Sequence, residues 1–219
     1  MKNLYKLIVN DKEIINIYNK IHYLEDNDEF GYAYHDFNHV LNVSNLVNQI
    51  LGMLGYDVDF VYSARIAAIL HDTGALQGKD GHALRSYEFA KEYFKKNNIT
   101  IENIEQVLEA IKIHSDGFNT DNIIALALII ADKLDIKYTR VAKAGQKVIG
   151  NRQFLNILDI EITIENNIFI VNFITTPKIN IDELNNYYFT KKVFKAIESF
   201  CNKVNKDYKI LMNKKIWKL

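Results

Sequence analysis

The spacing of apolar residues changes along this chain, and the change divides it into two parts. Through the first two thirds, apolar residues recur at the period of an α-helix, about 3.6 residues per turn. This period predicts helices over residues 12–24, 40–54, 58–72, 84–96, 101–114 and 121–136. Thr120 directly precedes the last of these helices and is predicted to be its N-cap.

The period then shortens to two residues. Apolar and polar side chains alternate over residues 158–165, which predicts a strand with one face in water. Asn166-Asn167 and a second apolar segment follow, and because asparagine tolerates a positive φ, we predict a β-hairpin with a tight turn. Residues 182–213 return to helical spacing. We therefore expect a mainly α fold, with a helical domain over residues 1–150 and a β-hairpin and long helix, residues 151–219, packed on it.

The amino-acid composition excludes few classes of protein or partner. The chain has 219 residues, 48% hydrophobic and 25% charged, and a formal net charge of zero, so bulk charge favours no partner. Residues 188–219 carry nine lysines against two acids; we interpret them as a solvated face and not as a nucleic-acid contact. The single cysteine, Cys201, excludes an internal disulfide and is predicted to be buried. No signal peptide or transmembrane run is present, so we expect a cytoplasmic protein with no membrane contact.

Ionisable side chains lie where the apolar segments begin or end. His71 and Asp72 follow an apolar run and precede a glycine-rich turn, and Asp132 follows nine apolar residues. A buried carboxylate needs a cation or strong donors; the alternative is that Asp132 faces water. With His39, at the start of a helix, these side chains would offer two nitrogen and two oxygen ligands. Such a set suits Mn²⁺, Fe²⁺, Zn²⁺, Ni²⁺ or Co²⁺ and leaves positions open for water and substrate.

Five short strings occur in order over this part of the chain. They are HVLNVSNLV (39–47), AAILHDTG (67–74), GHALRSYEFAKEYF (81–94), IKIHS (111–115) and ADKLD (131–135). Together they resemble the HD-domain superfamily of metal-dependent phosphohydrolases, over about residues 30–140. The resemblance implies a compact α-helical bundle, in agreement with the helices predicted from the period, and leaves the hairpin and the last helix outside it.

The resemblance also implies a metal centre of one or two divalent ions. His39, His71, Asp72 and Asp132 match the primary ligands of the family. His82 and His114 match positions at which two-metal members supply further histidines. Each of these two has a structural alternative: His82 could cap the helix that follows, and His114 could end its helix favourably against the helix dipole.

A further histidine precedes the first ligand. The string YHDFNHV (34–40) resembles the Tyr-His-Asn-x-x-His string of cyclic-nucleotide phosphodiesterases, in which the first histidine protonates the leaving group. Here Asp36 stands in place of the asparagine. His35 is therefore a candidate general acid or a donor to a ligand; the alternative is a surface histidine before a helix.

The reaction implied by the resemblance is hydrolysis of a phosphoester or phosphoanhydride by metal-activated water. Asp72 or Asp132 could orient the nucleophile while it binds the ion. A cation should hold the phosphate: Arg85, on the same helix face as His82, is the first choice, followed by Lys133 and Arg140. A surface salt bridge is the alternative for each. Asp135 could support a ligand.

The substrate is expected to be a small phosphorylated molecule, with a nucleotide favoured. Residues 73–77, TGALQ, lack the Glu-Asp pair of the alarmone hydrolases, and the long signature of the cyclic-dinucleotide branch is absent. Two alternatives remain: a catalytically inactive HD-like nucleotide-binding module and a cyclic-nucleotide phosphodiesterase-like enzyme. The hairpin could cover the pocket, or its edge strand could pair with another chain to form a homodimer.

Overall fold

Seven α-helices precede the first strand in the computed structural model, which describes residues 1–27 and 31–219. They are α1 (Lys2–Val9), α2 (Lys12–Asp26), α3 (Phe37–Met53), α4 (Val58–Leu70), α5 (His82–Lys96), α6 (Ile104–Ile113) and α7 (Ile123–Leu134). All six predicted helices are present, with ends that differ by a few residues. Helix α1 was not predicted, because eight residues span too few turns to show a clear period.

Side-chain caps fix where the site-bearing helices begin. Asp36 Oδ1 accepts a hydrogen bond of 2.9 Å from the backbone N–H of His39, so Asp36 is the N-cap of α3. The cap of α7 is Asn122, whose side chain accepts from the backbone N–H of two later residues. The prediction that Thr120 caps this helix was wrong. The Thr120 hydroxyl accepts from the N–H of Asn122 instead, two residues before the position of the N-cap.

Helix α7 lies at the centre of the bundle. Every residue from Ile124 to Leu134 is buried, because α3, α4, α6 and a later helix surround it. Its two charged residues, Asp132 and Lys133, are therefore buried as well. Although α7 is strongly apolar, it has only 12 residues. Among residues 1–27 and 31–219, no helix combines the length and the apolar character needed to cross a membrane.

The predicted hairpin is present. Strand β1 (Ile157–Glu165) pairs antiparallel with β2 (Ile168–Thr175), and the turn residues Asn166 and Asn167 have φ of 48° and 68°. One face of β1 is largely exposed, as its alternation predicted. The predicted fold class, a mainly helical HD-like bundle with an appended hairpin and helix, is confirmed.

The segment after the hairpin differs from the prediction. Residues 182–213 are not one long helix: α8 (Ile181–Asn186) and α9 (Tyr188–Lys203) are followed by β3 (Asp207–Met212) and β4 (Lys215–Ile216). Strand β3 pairs parallel to β2, which completes a four-stranded sheet in the order β1-β2-β3-β4. A parallel pair needs a crossover connection, and α9 supplies it while packing against α7. This long-range pairing, and not the local period, makes a strand of the last segment.

Candidate metal centre

The six residues predicted as metal ligands meet at one end of the bundle. His39 lies in the first turn of α3, His71 and Asp72 directly follow α4, and the other three residues come from α5, α6 and α7. All six are buried: His39, His71, Asp72, His82, His114 and Asp132. The fold therefore brings together the six residues that were predicted from the sequence. Their role as metal ligands stays a prediction.

Four ligand atoms form a first set. His39 Nε2 lies 3.3 Å from both Asp72 Oδ2 and Asp132 Oδ1, and His71 Nε2 lies 3.1 Å and 3.9 Å from the same two oxygens. Nitrogen and oxygen ligands of zinc-like ions lie about 2.1 Å from the metal, which puts neighbouring ligands about 3.0–3.4 Å apart. The spacing of the first set is therefore close to that around a single ion.

The other oxygen of Asp72 belongs to a second set. Asp72 Oδ1 lies 3.2 Å from His82 Nε2 and 3.5 Å from His114 Nε2, and the two histidine nitrogens are 2.9 Å apart. One carboxylate thus faces two groups of nitrogens with its two oxygens. This arrangement fits two neighbouring ions with Asp72 between them.

A contact at Nδ1 fixes the orientation of the imidazole ring in each of the four predicted histidine ligands. Each Nδ1 faces an oxygen acceptor on the side of the ring away from the site. The partners of these nitrogens are Asp135 Oδ2 for His39 (2.7 Å), the Ala68 carbonyl for His71 (2.8 Å), the Lys79 carbonyl for His82 (2.7 Å) and the Ile111 carbonyl for His114 (2.7 Å). A carbonyl can only accept, so Nδ1 carries the proton and donates. In the neutral ring, the Nε2 lone pair then points into the site, as a metal ligand requires.

The two ionised aspartates and the unpartnered polar atoms of the site favour a bound cation. Burial opposes ionisation of Asp72 and Asp132, but His71 beside Asp72 and Lys133 beside Asp132 hold the pKa of each carboxyl well below its usual range. His71 Nε2 and Asp72 Oδ2 are buried and make no hydrogen bond of good geometry to any described residue. Buried polar atoms without partners are rare in native proteins. The donor set and these unpartnered atoms fit a divalent metal ion.

Without a metal, protons would supply the positive charge. Burial and the Arg140 guanidinium oppose protonation of His39, but its contacts with Asp132, Asp135 and Asp72 outweigh them and raise its pKa to about 10. Burial likewise opposes protonation of His71, and the two neighbouring aspartates raise its pKa to about 9. Burial lowers the pKa of His114 to about 4, so His114 carries no proton of this kind near neutral pH.

Two charged side chains hold the ligands in place. Asp135 accepts from His39 Nδ1, which is the supporting contact that the sequence indicated. Lys133 Nζ donates to Asp132 Oδ2 at 2.5 Å and leaves Oδ1 to the first set. Lys133 thus neutralises the carboxylate while it lines the cleft above the cluster.

Arg85 does not line the cleft, so the expectation that it holds a phosphate is not supported. Its Nε donates to the Gly74 carbonyl at 3.0 Å, Nη1 donates to the backbone carbonyl of Asp80 at 2.7 Å, and Nη2 donates to the Gly78 carbonyl. These bonds use the guanidinium to fasten the turn that follows Asp72. The position of Arg85 on the helix could not predict these bonds, because they depend on how the turn after Asp72 packs against α5.

Other cations do line the cleft. Arg140 Nη2 lies 3.1 Å from His39 Nε2, and Arg140 Nη1 is buried without a hydrogen-bond partner among the described residues. Lys79, in the turn after Asp72, directs its ammonium group to His35 Nε2 at 3.1 Å. Sequence reasoning ranked Arg140 below Arg85; the geometry reverses that order.

His35 is a buried residue of the cleft and not a surface histidine. Its Nδ1 lies 2.6 Å from Glu25 Oε1, and its backbone N–H donates to Glu25 Oε2 at 2.7 Å. Glu25 is only 1% exposed, and burial raises its pKa to about 8 despite the hydrogen bond from His35. Sequence reasoning missed Glu25, because a glutamate near the end of an amphipathic helix is ordinarily a solvated residue.

A Glu25→Gln variant is expected to weaken the pH dependence of stability above about pH 7. The folded-state pKa of Glu25 is raised from 4.5 to about 8, so the folded chain holds a proton that the unfolded chain has lost. Stability therefore falls as pH rises through 8, by about 1 kcal/mol between about pH 7 and about pH 9. Glutamine cannot ionise, so urea unfolding of the metal-loaded variant should lack this loss.

The matched control is Glu13→Gln, which removes an exposed carboxylate from the same helix. It should keep the wild-type pH profile. If Glu25→Gln and wild type lost stability equally over this range, Glu25 would be ionised in the fold and would not hold the proton.

The cleft above the cluster has a volume of about 370 Å³, within the usual range for small-molecule sites. Four of the predicted ligands form its floor, and part of its wall is aromatic. The floor residues are Asp72, His82, His114 and Asp132, and the aromatic residues are Tyr32, Phe154, Tyr187, Tyr188 and Phe189. No residue of β1 or β2 lines this cleft among those that the structure describes, so the hairpin does not cover it.

Comparison with known protein families agrees with this geometry. Residues 36–137 match the family described as the HD domain, and the match contains all six predicted ligands. No curated protein matches the chain. The fold and the site thus define a helical domain of a class that consists mostly of metal-dependent hydrolases. Residues 36–137 are an HD domain, and this part of the chain belongs to the HD-domain superfamily.

Proposed function

We propose that this chain is a metal-dependent phosphohydrolase that cleaves a phosphoester or phosphoanhydride bond in a small phosphorylated molecule. The observation that carries the proposal is the division of the Asp72 carboxylate between two ligand sets on the floor of a cleft. A divalent ion bound there supplies acidity to a bound water and offsets negative charge on a phosphate. His39, His71, Asp72 and Asp132 would hold the first ion, and His82 and His114 would complete a second set.

Arg140 is the residue best placed to bind the phosphate. Its Nη1 is buried at the cleft without a partner, and the residue is only 8% exposed. A guanidinium group binds phosphate oxygens through paired N–H donors, so an anion in the cleft would satisfy the unpartnered nitrogen. Lys79 and Lys133 add positive charge, although Lys133 is already paired with Asp132.

His35 is placed to protonate the leaving group. Glu25 holds the Nδ1 side of the ring, so Nε2 faces the cleft and the Lys79 ammonium group. A proton shared between Lys79 Nζ and His35 Nε2 can pass to a leaving oxygen that lies within hydrogen-bond reach. This supports the role of general acid for His35, with Glu25 as its positioning residue.

A His35→Asn variant is expected to lower kcat by about 100-fold to 10,000-fold while it leaves the metal content unchanged. The proposed function is tested on the same proteins. Metal is first removed from purified wild type and variant with a chelator, and each protein is reloaded with Mn²⁺, Fe²⁺, Co²⁺, Ni²⁺ or Zn²⁺. Hydrolysis is then measured as release of phosphate or pyrophosphate from nucleoside mono- and triphosphates, of phosphate from a sugar phosphate, and of the leaving alcohol from an activated phosphodiester. We expect release only from reloaded protein.

His22→Asn is the matched control, because His22 is exposed on α2 and does not line the cleft. It should hydrolyse the same substrate at the wild-type rate. Absence of hydrolysis with every metal and substrate would overturn the proposed function. If nucleotides still bound, the inactive nucleotide-binding module would take its place. Full activity in His35→Asn would remove the proton-transfer role.

A further inference from the structure

The cleft has two unlike sides. Its floor carries the ligand cluster and the cationic groups of Lys79, Lys133 and Arg140. The aromatic wall is formed by Tyr32, Phe154, Tyr187, Tyr188 and Phe189. Three aliphatic side chains, Ala33, Ile136 and Val141, line the cleft among the described residues. A ligand that fills this space needs an anionic end and a flat apolar end.

The aromatic wall comes from outside the HD domain match of residues 36–137. Phe154 belongs to a 3₁₀ segment, Asn151–Asn156, and Tyr188 and Phe189 begin α9. The segments after the HD domain therefore complete the cleft from the side. Metal ligands and aromatic wall come from different parts of the chain, so the wall can determine which phosphate compound reaches the ligands.

The rings of the wall support one another. Phe154 lies 5.8 Å from Tyr187 and 6.1 Å from Phe189 between ring centroids, in edge-to-face pairs, and Tyr187 lies 4.8 Å from Tyr188. Phe154 and Tyr187 are buried, whereas Tyr188 is 58% exposed and Tyr32 is 50% exposed. Two buried rings thus hold the wall, and two half-exposed rings remain available to a ligand.

Polar contacts fix the position of this wall. Asn151 Nδ2 donates to the Tyr32 carbonyl at 3.2 Å, and the Tyr187 hydroxyl donates to Asn151 Oδ1 at 3.2 Å. Gly150 has a φ of +85°, and a Cβ at this position would lie 2.4 Å from Tyr187 Cβ. Only glycine fits so close to that ring. These contacts fix the backbone of Tyr32 and the ring of Tyr187, which directly precedes the exposed Tyr188.

The wall begins directly beside the charged floor. The Phe189 ring centroid lies 6.0 Å from Lys133 Nζ, and Lys133 Nζ lies 2.5 Å from Asp132 Oδ2. A compound that places its phosphate at the cluster would therefore bring its next group against the aromatic rings. A planar heteroaromatic ring stacks well on such a surface, because its flat face needs no particular hydrogen-bond pattern.

We propose, on the basis of the proposed function, that Tyr188, Phe189 and Tyr32 form a ring-binding subsite, and that the substrate is a nucleotide. The subsite takes the nucleobase, and the cluster takes the phosphate. Since stacking tolerates any base, the wall selects for the presence of a base more than for its identity. A phosphorylated sugar without a base leaves the aromatic wall in water and binds more weakly.

The test compares ligands with and without the ring. Metal-loaded protein is titrated calorimetrically with adenosine and uridine, which carry a base but no phosphate and offer no bond for hydrolysis. KM is then measured for adenosine monophosphate and ribose 5-phosphate. Tyr188→Ala should weaken nucleoside binding and raise the nucleotide KM by about 5-fold to 100-fold. It should leave kcat and the ribose 5-phosphate KM within about 2-fold, because the floor is unchanged.

Two control variants accompany this test. Tyr188→Phe keeps the ring and should bind nucleosides as wild type does. Tyr208→Ala removes a 39% exposed tyrosine on β3, away from the cleft, and should change nothing. The subsite is overturned if nucleoside binding is absent, or if Tyr188→Ala binds nucleosides and nucleotides like wild type while hydrolysis proceeds. Nucleoside binding through Tyr188 without hydrolysis of any phosphate would instead overturn the proposed function and leave the subsite.

Discussion

An Asp72→Asn variant is expected to lose bound metal from both ligand sets and to lower phosphohydrolase activity by roughly 1,000-fold or more. Asp72 is the one residue that contributes an atom to each set, Oδ2 to the first and Oδ1 to the second. Asparagine has nearly the same shape, but it replaces one oxygen with an NH₂ group and removes the negative charge. A donor nitrogen cannot ligate a cation, so whichever way the amide turns, one set loses its ligand and both lose the charge.

The measurement is metal content by mass spectrometry beside the rate of phosphate release. His82→Asn is the matched variant, because His82 belongs to the second set only. It should keep the first ion and lose the second, so metal per chain should fall to about half if two ions bind. Circular dichroism would verify that both variants fold. An Asp72→Asn protein that keeps the wild-type metal content would contradict the shared position of Asp72.

Much of the fold could be predicted because the helices are amphipathic or uniformly apolar. The ligand residues could be predicted for a related reason. His71, Asp72 and Asp132 are ionisable residues attached to apolar runs, and a buried charge needs a partner. The resemblance to a known family then connected them with His82 and His114.

The remaining parts of the site depend on contacts between distant segments. Glu25 is a helix residue that the fold buries against His35, and no local pattern distinguishes it from a solvated glutamate. The aromatic residues that begin α9 look like core residues in the sequence. Only the packing of α9 on α7 places Tyr188 and Phe189 beside Lys133. The strand β3 was missed for the same reason, since its partner β2 lies more than thirty residues earlier.

Removal of the metal is expected to make stability fall steeply as pH rises above neutrality. In the metal-free protein the pKa of His71 is raised from 6.5 to about 9 and that of His39 from 6.5 to about 10. Between these values the folded chain holds protons that the unfolded chain has released. Their contribution is therefore fully present below pH 6.5 and is lost as pH rises through 9 and 10. The loss should be on the order of 3 kcal/mol or more between about pH 7 and about pH 9.5.

The metal-loaded protein should lack this loss, because the same nitrogens then bind the ion and carry no proton. Urea unfolding at both pH values, with metal or with chelator, measures the difference. His71→Asn removes one of the two protons and should shrink the pH effect in the chelated protein. Equal pH dependence with and without metal would mean that the cluster binds neither protons nor metal, and that its carboxylates are neutralised by Lys133 and Arg140 alone.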